Sequence, residues 1–430
     1  MSKSLCRGFM NSASDSQGQS PLSPRWLHVA FLAIALVGWL IFILACVEGP
    51  GWSPDSSKVL FSYFDSDGGR YAVALYDVAK HKTKLIFERP TKEEDDNLGL
   101  LPAWQSDGSR ALILVNEMAS ESDKHCVLLS LPVGSNGVPR TYDLGKAKDC
   151  WYRPMVMQQS DKLYLGDEDG LNWVNLATGE TGSTEIKGGP GFLHERNGQI
   201  VYMRGTSRPV AGAKEKNSDE EGIEFGQINL ADATLKPSFT IWQTQFPDVK
   251  FGDSMSAAWE PSGSHVALIG VGEDSDRILM MDENKGPTGT IDPNLGVKPV
   301  RIGNLLWSHD GKTFYSAAVN KGSKEKTCDF SLAEIPVSGA SGRLTRIASF
   351  SCDDVSKNDI REHLEMILPL ALSPDGNWIA ATPSNCAPDK FAAVDHALFL
   401  IDLRRKERRI TRVSFPTLPK TGSPSAKSAP

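Results

Sequence analysis

The chain has 430 residues, 40% of them hydrophobic and 23% charged, with 38 Gly, 26 Pro, 10 Trp and 7 Cys. This is a globular, turn-rich composition, which excludes a disordered or collagenous chain and favours short strands over long helices. A formal charge of −7, from 46 Lys and Arg against 53 Asp and Glu, lacks the basic balance of a protein that works on phosphate backbones, so no nucleic-acid partner is expected.

Residues 1–25 are polar and Ser-rich, with Lys3, Arg7 and Arg25 against one Asp15, and are expected to form a disordered cytoplasmic tail. Residues 26–47 then read WLHVAFLAIALVGWLIFILACV, without Asp, Glu, Lys or Arg. Roughly 20 apolar residues cross the hydrocarbon core as a helix. Cations before the segment, and Glu48, Asp55 and Asp65 after it, place the N-terminus inside and the remainder outside. A second reading stays open: Ile43-Leu44-Ala45-Cys46 resembles a lipobox, in which Cys46 is acylated and becomes the new N-terminus. Both readings make the membrane a partner through residues 26–47 and place the body in the periplasm or outside the cell.

From residue 48 to 416 the sequence repeats itself. Trp52-Ser-Pro-Asp55-Ser56 leads into Val59, Leu60 and Phe61, and Trp104-Gln-Ser-Asp107-Gly108 into Ala111, Leu112 and Ile113. Two weaker copies follow, at Met157 to Asp161 and at Asn197-Gly198. Trp259-Glu-Pro-Ser262-Gly263, Trp307-Ser-His-Asp310-Gly311 and Leu372-Ser-Pro-Asp375-Gly376 complete the series. Ser-Pro-Asp-Gly suits a type I turn, because Pro presets φ and Gly supplies a positive φ at its end. The flanking runs, rich in Val, Ile, Leu and aromatics, read as strands. Third strands are expected at 71–77, 126–131, 171–176, 223–230, 277–282, 330–336 and 397–403. Fourth strands are expected at 84–87, 140–144, 184–186, 238–241, 298–302, 344–347 and 409–413.

Four antiparallel strands per unit predict an all-β, seven-bladed β-propeller, with six or eight blades as alternatives. A single such sheet is apolar on both faces, and radial stacking buries both; the recurring Trp is expected where blade meets blade. With no strand before Gly51 to complete the last blade, closure is expected from packing between the first and last blades. The W-S-P-D-G turn followed by an apolar strand resembles the WD-like repeat of the TolB type, found also in the propeller halves of prolyl-oligopeptidase-related and tricorn proteases. The resemblance implies the fold and leaves the function open.

Cys126 and Cys150 are 24 residues apart, and so are Cys328 and Cys352. Each pair would join the start of a third strand to the end of a fourth, within disulfide reach. Such a bridge stabilises by about 3 kcal/mol in the chain-entropy account and requires an oxidising compartment. Cys386 is left over, and no Cys or His spacing resembles a metal site.

No nucleophile elbow is present, since Gly252-Asp-Ser254-Met-Ser256 lacks the closing Gly and Gly339-Ala-Ser341-Gly342 is too short. The innermost stretches 49–52, 101–104, 256–259, 304–307 and 368–372 are small and apolar, so no catalytic residue, metal or cofactor is assigned. Glu260, Asp253 and Arg153 read as rim residues, and His265 and His309 as solvated. Asp65-Ser-Asp67-Gly68 and Asp167-Glu-Asp169-Gly170 read as hairpin turns rather than calcium loops. The run Arg404-Arg-Lys-Glu-Arg-Arg409 reads as a solvated basic hairpin. Residues 92–97 and 211–222 read as recognition loops, 356–367 as a small helix, and 417–430 as a disordered tail. Together these features point to a membrane-tethered, non-enzymatic module that binds a protein or a saccharide. The alternative is a propeller hydrolase or lyase acting on cell-wall polysaccharide.

Overall fold

The computed structural model describes residues 49–65, 70–90, 100–118, 124–134, 137–144, 155–156, 162–166, 170–186, 189, 191–196, 198–209, 219–231, 234–251, 257–261, 263–272, 275–297, 301–321, 327–351, 369–382, 397–416 and 418. The expectations for residues 1–47, Cys46, Cys150, Cys352, Cys386 and the helix at 356–367 lie outside the described residues. Among the described residues no helix is long and apolar enough to cross a membrane.

Seven antiparallel sheets follow one another, each built from consecutive strands. Blade 1 comprises β1 (Gly51–Trp52), β2 (Lys58–Asp65), β3 (Arg70–Asp77) and β4 (Lys82–Pro90). Blade 2 comprises β5 (Leu100–Trp104), β6 (Arg110–Met118), β7 (Lys124–Pro132) and β8 (Arg140–Asp143). Blade 3 comprises β9 (Met155–Val156), β10 (Lys162–Gly166), β11 (Gly170–Asn175) and β12 (Thr181–Glu185). Blade 4 comprises β13 (Phe192–Arg196), β14 (Gln199–Pro209), β15 (Asp219–Asn229) and β16 (Thr234–Trp242). In blade 5 the first strand is split into β17 (Lys250–Phe251) and β18 (Ala257–Trp259), both paired with β19 (His265–Val271), before β20 (Arg277–Asp282) and β21 (Gly286–Ile291). Blade 6 comprises β22 (Arg301–Trp307), β23 (Thr313–Lys321), β24 (Thr327–Pro336) and β25 (Arg343–Ser351). Blade 7 comprises β26 (Leu370–Leu372), β27 (Trp378–Ala381), β28 (Ala397–Asp402) and β29 (Arg409–Ser414). The first strands of neighbouring blades touch one another, so they form the inner ring.

Alternation of side chains along each strand explains the stacking. In β23, Phe314 and Ala318 pack toward blade 5 beside Ala258 and Ile278, while Tyr315, Ala317 and Val319 pack toward blade 7 beside Leu370 and Phe399. Seven apolar clusters result, one at each junction between blades. Full burial of one such side chain is worth roughly 1.5–3 kcal/mol, so the junctions hold the ring together. The recurring tryptophans lie in these junctions, and two of them also bridge blades by hydrogen bonds. Trp52 Nε1 donates to the Ala371 carbonyl at 3.0 Å and Trp104 Nε1 to the Gly51 carbonyl at 3.0 Å.

Among the described residues no strand is shared between the first and last blades, and closure rests on packing and a few hydrogen bonds. Trp52, Phe61 and Tyr63 of blade 1 form one core with Leu398 and Leu400 of blade 7. Phe415, just past β29, stacks on Phe61 at 5.3 Å and reaches Tyr63 at 4.7 Å, and the Tyr63 hydroxyl donates to the Pro416 carbonyl at 3.1 Å. Leu418, two residues past the boundary expected at 416, is buried in the same core.

Three expectations are corrected. The fourth strand of blade 5 is β21 rather than 298–302; its Gly286-Pro287-Thr288-Gly289 sequence hides it, and Arg301 and Ile302 instead open the inner strand of blade 6. That inner strand shifts register between Gly303 and Leu306, with Asn304 at φ 55°. The insertion read at 211–222 gives up its last four residues to β15, whose pairing with β14 reaches Pro209 opposite Asp219. Finally, β13 is an inner strand that carries His194, Glu195 and Arg196, so the inner ring is not uniformly small and apolar.

Candidate functional site

The turn joining the first and second strands is the most repetitive element of the ring. In blade 1 the Ser53 hydroxyl donates to Asp55 Oδ1 at 2.6 Å and accepts from the Lys58 amide at 2.9 Å, while Asp55 Oδ1 accepts from the Ser57 amide at 3.1 Å. Ser308 with Asp310, and Ser373 with Asp375, repeat the hydroxyl-to-carboxylate bond at 2.7 and 2.6 Å. Asp107 accepts from the Ser109 amide at 2.9 Å. The Ser53 hydroxyl, ahead of the Ser57 donors, holds the Asp55 carboxyl down at about 2. At Asp375 burial pushes the pKa up, but the Ser373 and Asn377 hydrogen bonds outweigh it and leave the group lowered. These carboxylates are therefore committed to their own turns.

Successive turns also touch. Gly311 and Gly376 both sit at φ 70°. A Cβ at Gly376 would lie 3.1 Å from His309 Nδ1, and one at Gly311 the same distance from Glu260 Oε1. Glycine is needed there for its backbone and for its lack of bulk. Blade 1 has Ser56 at the equivalent place, at φ 58°, and its hydroxyl accepts from the Asp375 amide at 3.0 Å, linking the first turn to the last.

Blade 5 breaks the pattern. Glu260 occupies the place of Ser53, and its amide donates to the His265 carbonyl at 2.9 Å as the Ser53 amide does to Lys58. With Ser262 where the other turns have Asp, the acid has moved two positions forward. Its carboxylate folds over Gly263, where a Cβ would collide with Oε2, and accepts from His265 Nδ1 at 2.8 Å. The other imidazole nitrogen stands 3.8 Å from Asp282 Oδ2. His265 is thus held between two carboxylates rather than freely solvated.

That group faces blade 6; on the other face of blade 5, β13 of blade 4 brings His194 against Trp259 and Arg196 against Glu283. The His194 imidazole lies parallel to the Trp259 indole, with centroids 5.0 Å apart and planes 7° apart. Phe225 meets the same indole edge-on at 6.5 Å. His194 is exposed to solvent on one side and packed on Trp259 on the other. That crowding, reinforced by the Arg196 charge, lowers its pKa to about 4, so the ring is neutral at neutral pH. Arg196 forms an ion pair with Glu283 of blade 5, while its buried Nε has no hydrogen-bond partner among the described residues. This seam between blades 4 and 5 joins the His194–Trp259 stack to the Arg196–Glu283 ion pair.

Of the residues singled out from sequence, Trp259 belongs to this seam and Gly263 to the turn over which Glu260 folds. Trp52, Asp55, Trp104, Asp107, Gly108, Trp307, Asp310, Gly311, Asp375 and Gly376 build the ring instead. His194 and Arg196 were missed because blade 4 lacks the Trp and Asp of the repeat. The alternation of Phe192, His194 and Arg196 before Asn197-Gly198 was the available signal.

The basic run 404–409 is exposed, as expected, except at Arg408. Arg408 is largely buried and donates through Nε to Glu334 Oε1 of blade 6 at 3.1 Å, where Arg343 Nε also donates at 3.0 Å. Burial pushes the Glu334 pKa up, but the two guanidiniums overcome it and hold the carboxyl low. Arg404 donates to Asp402 at 2.8 Å and lies over the Trp378 ring. The run fastens blade 7 to blade 6. Cys126 and Cys328, at corresponding positions near the starts of β7 and β24, are each disulfide-bonded, and their expected partners lie outside the described residues.

No family model matches the sequence, and no curated relative matches it. The fold is similar to solved propellers. An oligogalacturonate lyase in complex with manganese aligns at 12% identity over 81% of this chain and 83% of that one, with TM-score 0.46. TolB from Acinetobacter baumannii aligns at 12% identity over 67% and 65%, with TM-score 0.38. The β-propeller domain of the Trilobed protease from Pyrococcus furiosus aligns at 12% identity over 69% and 82%, with TM-score 0.42. The likeness is one of fold.

Proposed function

We propose that this chain is a membrane-tethered propeller whose body lies outside the cytoplasmic membrane and binds a protein or a saccharide without transforming it. The observation that carries the reading is how the ring spends its charges. Its repeated carboxylates bind their own turns and its basic run clasps two blades, whereas the blade 4–5 seam keeps an aromatic stack and an exposed imidazole at the inner ring. The apolar run 26–47 supports the tether. Disulfide-bonded Cys126 and Cys328 support export, since such bonds persist in oxidising compartments. We assign their partners as Cys150 and Cys352.

A second reading, a polysaccharide hydrolase or lyase, draws on the Glu260–His265 pair beside Asp282. Both carboxylates already have hydrogen-bonded partners, which favours the binding reading. The test is crosslinking in intact cells followed by affinity purification, alongside incubation of the full-length protein with cell-wall polysaccharide. A fixed neighbour or retained glycan of unchanged length is expected. Shortened or unsaturated products would overturn the reading in favour of the enzyme.

A further inference from the structure

We propose that two neighbouring turns, β28–β29 of blade 7 and β3–β4 of blade 1, together bind an anionic saccharide, a glycan bearing carboxylate or phosphate groups; this deepens the binding reading above and rests on it. The chain is acidic overall, with formal charge −7, yet cations gather here. Arg404, Arg405, Lys406 and Arg409 are exposed at the first turn, and Lys80, His81 and Lys82 at the second. The closure junction brings the two together. Tyr76 and Val78, which lead into the blade 1 turn, pack in one core with Trp378 of blade 7, and the Arg404 guanidinium lies 4.7 Å over that indole. Carboxylates offset part of the charge: Asp402 engages Arg404 and Arg405, Asp77 engages Lys80, and Glu407 is the exposed acid of the run. Among the described residues Lys82, Lys406 and Arg409 have no ion pair.

Both turns are held in shape at a cost. Like charges crowded on one hairpin repel, yet the blade 7 turn is fixed from within. Arg408 reaches inward, donating to the Arg405 carbonyl at 2.6 Å and to Glu334, while Arg343 donates to the Lys406 carbonyl. Arg405, Lys406 and Arg409 therefore face solvent from a braced backbone, which lowers the ordering cost of binding. In blade 1, His81 sits at φ 51°, four residues past the end of β3; the same place past β11 and β20 holds Gly179 at φ 81° and Gly286 at φ 77°. A side chain in that conformation is strained, and this one is tied down by a 2.9 Å hydrogen bond between Nδ1 and the Tyr76 hydroxyl. Strain kept where glycine serves elsewhere points to a use for the imidazole.

The class of partner follows from what surrounds these cations. Protein interfaces are anchored by aromatic and apolar side chains, but the exposed large hydrophobics among the described residues, Val138 and Leu230, lie in blades 2 and 4. A charged glycan needs no such anchor, because guanidinium forks and ammonium groups match its carboxylates or phosphates directly.

The test uses the full-length chain in nonionic detergent micelles and isothermal titration. Octagalacturonate is the carboxylate probe, a glycerol-phosphate oligomer of equal charge the phosphate probe, and maltooctaose the neutral one. Saturable binding of an anionic probe is expected, weakening as salt rises from about 50 to about 200 mM, with no binding of maltooctaose; the tighter anionic probe names the preferred anion. Arg405→Gln, Lys406→Gln and Arg409→Gln combined should weaken binding about tenfold or more. Lys236→Gln, which removes an exposed cation of blade 4, should leave it unchanged. His81→Gly should weaken binding while the urea midpoint stays level or rises, since the strain is relieved. Maltooctaose binding as tightly as the anionic probes, no binding of either anionic probe by the folded protein, or binding untouched by the triple substitution would each overturn the proposal. Equal binding of polyglutamate would overturn the saccharide class in favour of a protein partner. If the triple variant retains the same crosslinked neighbour or glycan as the wild type, the patch falls and the binding reading stands. Cleavage of octagalacturonate would overturn both.

Discussion

The His194 imidazole is driven far from its usual titration, and the direction fixes an observable. Its folded pKa of about 4 lies below the ordinary imidazole value of 6.5, so the unfolded chain takes up the proton first. Stability should therefore rise with pH from about 4 to about 6.5 and be flat in this respect above it. Thermal unfolding of the wild type across that window should show the slope, and His194→Gln should flatten it; an unchanged slope would show that another group is responsible. The indole nitrogens give a second contrast at this scale. Trp104→Phe leaves the Gly51 carbonyl without its donor, at a cost of about 1–3 kcal/mol beyond lost packing. Trp307 Nε1 is buried with no hydrogen-bond partner among the described residues, so Trp307→Phe should cost visibly less in urea unfolding. A larger loss for the Trp307 variant would refute this assignment.

Turns and strands show which parts of the fold could be read from sequence and which could not. Where Trp, Asp and Gly recur at fixed spacing, hairpins fall where expected, because each residue meets a separate local need: indole packing, carboxylate capping and a positive φ. Gly376→Ala violates two of these at once, the φ of 70° and the 3.1 Å approach to His309. Gly286→Ala, with φ 77° and open space around it, violates one. The first should lower the urea midpoint more than the second, with a cost of at least about 1 kcal/mol. Strands such as β21 stayed hidden because their neighbours, rather than their own propensities, keep them extended. The blade 4–5 seam was illegible for a related reason: it combines residues from two blades, one of them without the repeat's signature. The clasp at Glu334 is likewise a contact between elements. Glu334→Ala would leave Arg343 and Arg408 facing one another, and a loss of about 3–5 kcal/mol is expected from chemical denaturation.

For the molecule as a whole, seven similar junctions share the load, and six of them join blades that are consecutive in sequence. The seventh joins blade 7 to blade 1 and depends on Phe415 and Leu418 as well as on the sheets. Phe415→Ala should therefore lower the unfolding temperature and speed limited proteolysis at the first and last blades before the others. Uniform cleavage around the ring would contradict that order. Peptide mapping without reductant should link Cys126 to Cys150 and Cys328 to Cys352; free thiols at all four positions would remove the argument for export.

Because the final clasp is made by residues near 415, a nascent chain can assemble its blades in succession but must remain an open arc until Phe415 has emerged. Products that stop short of Phe415 would keep one face of blade 1 bare, a greasy surface that quality-control proteases could recognise. Phe415 and Leu418 therefore act as a completion mark, distinguishing a finished circle from a fragment that contains every blade.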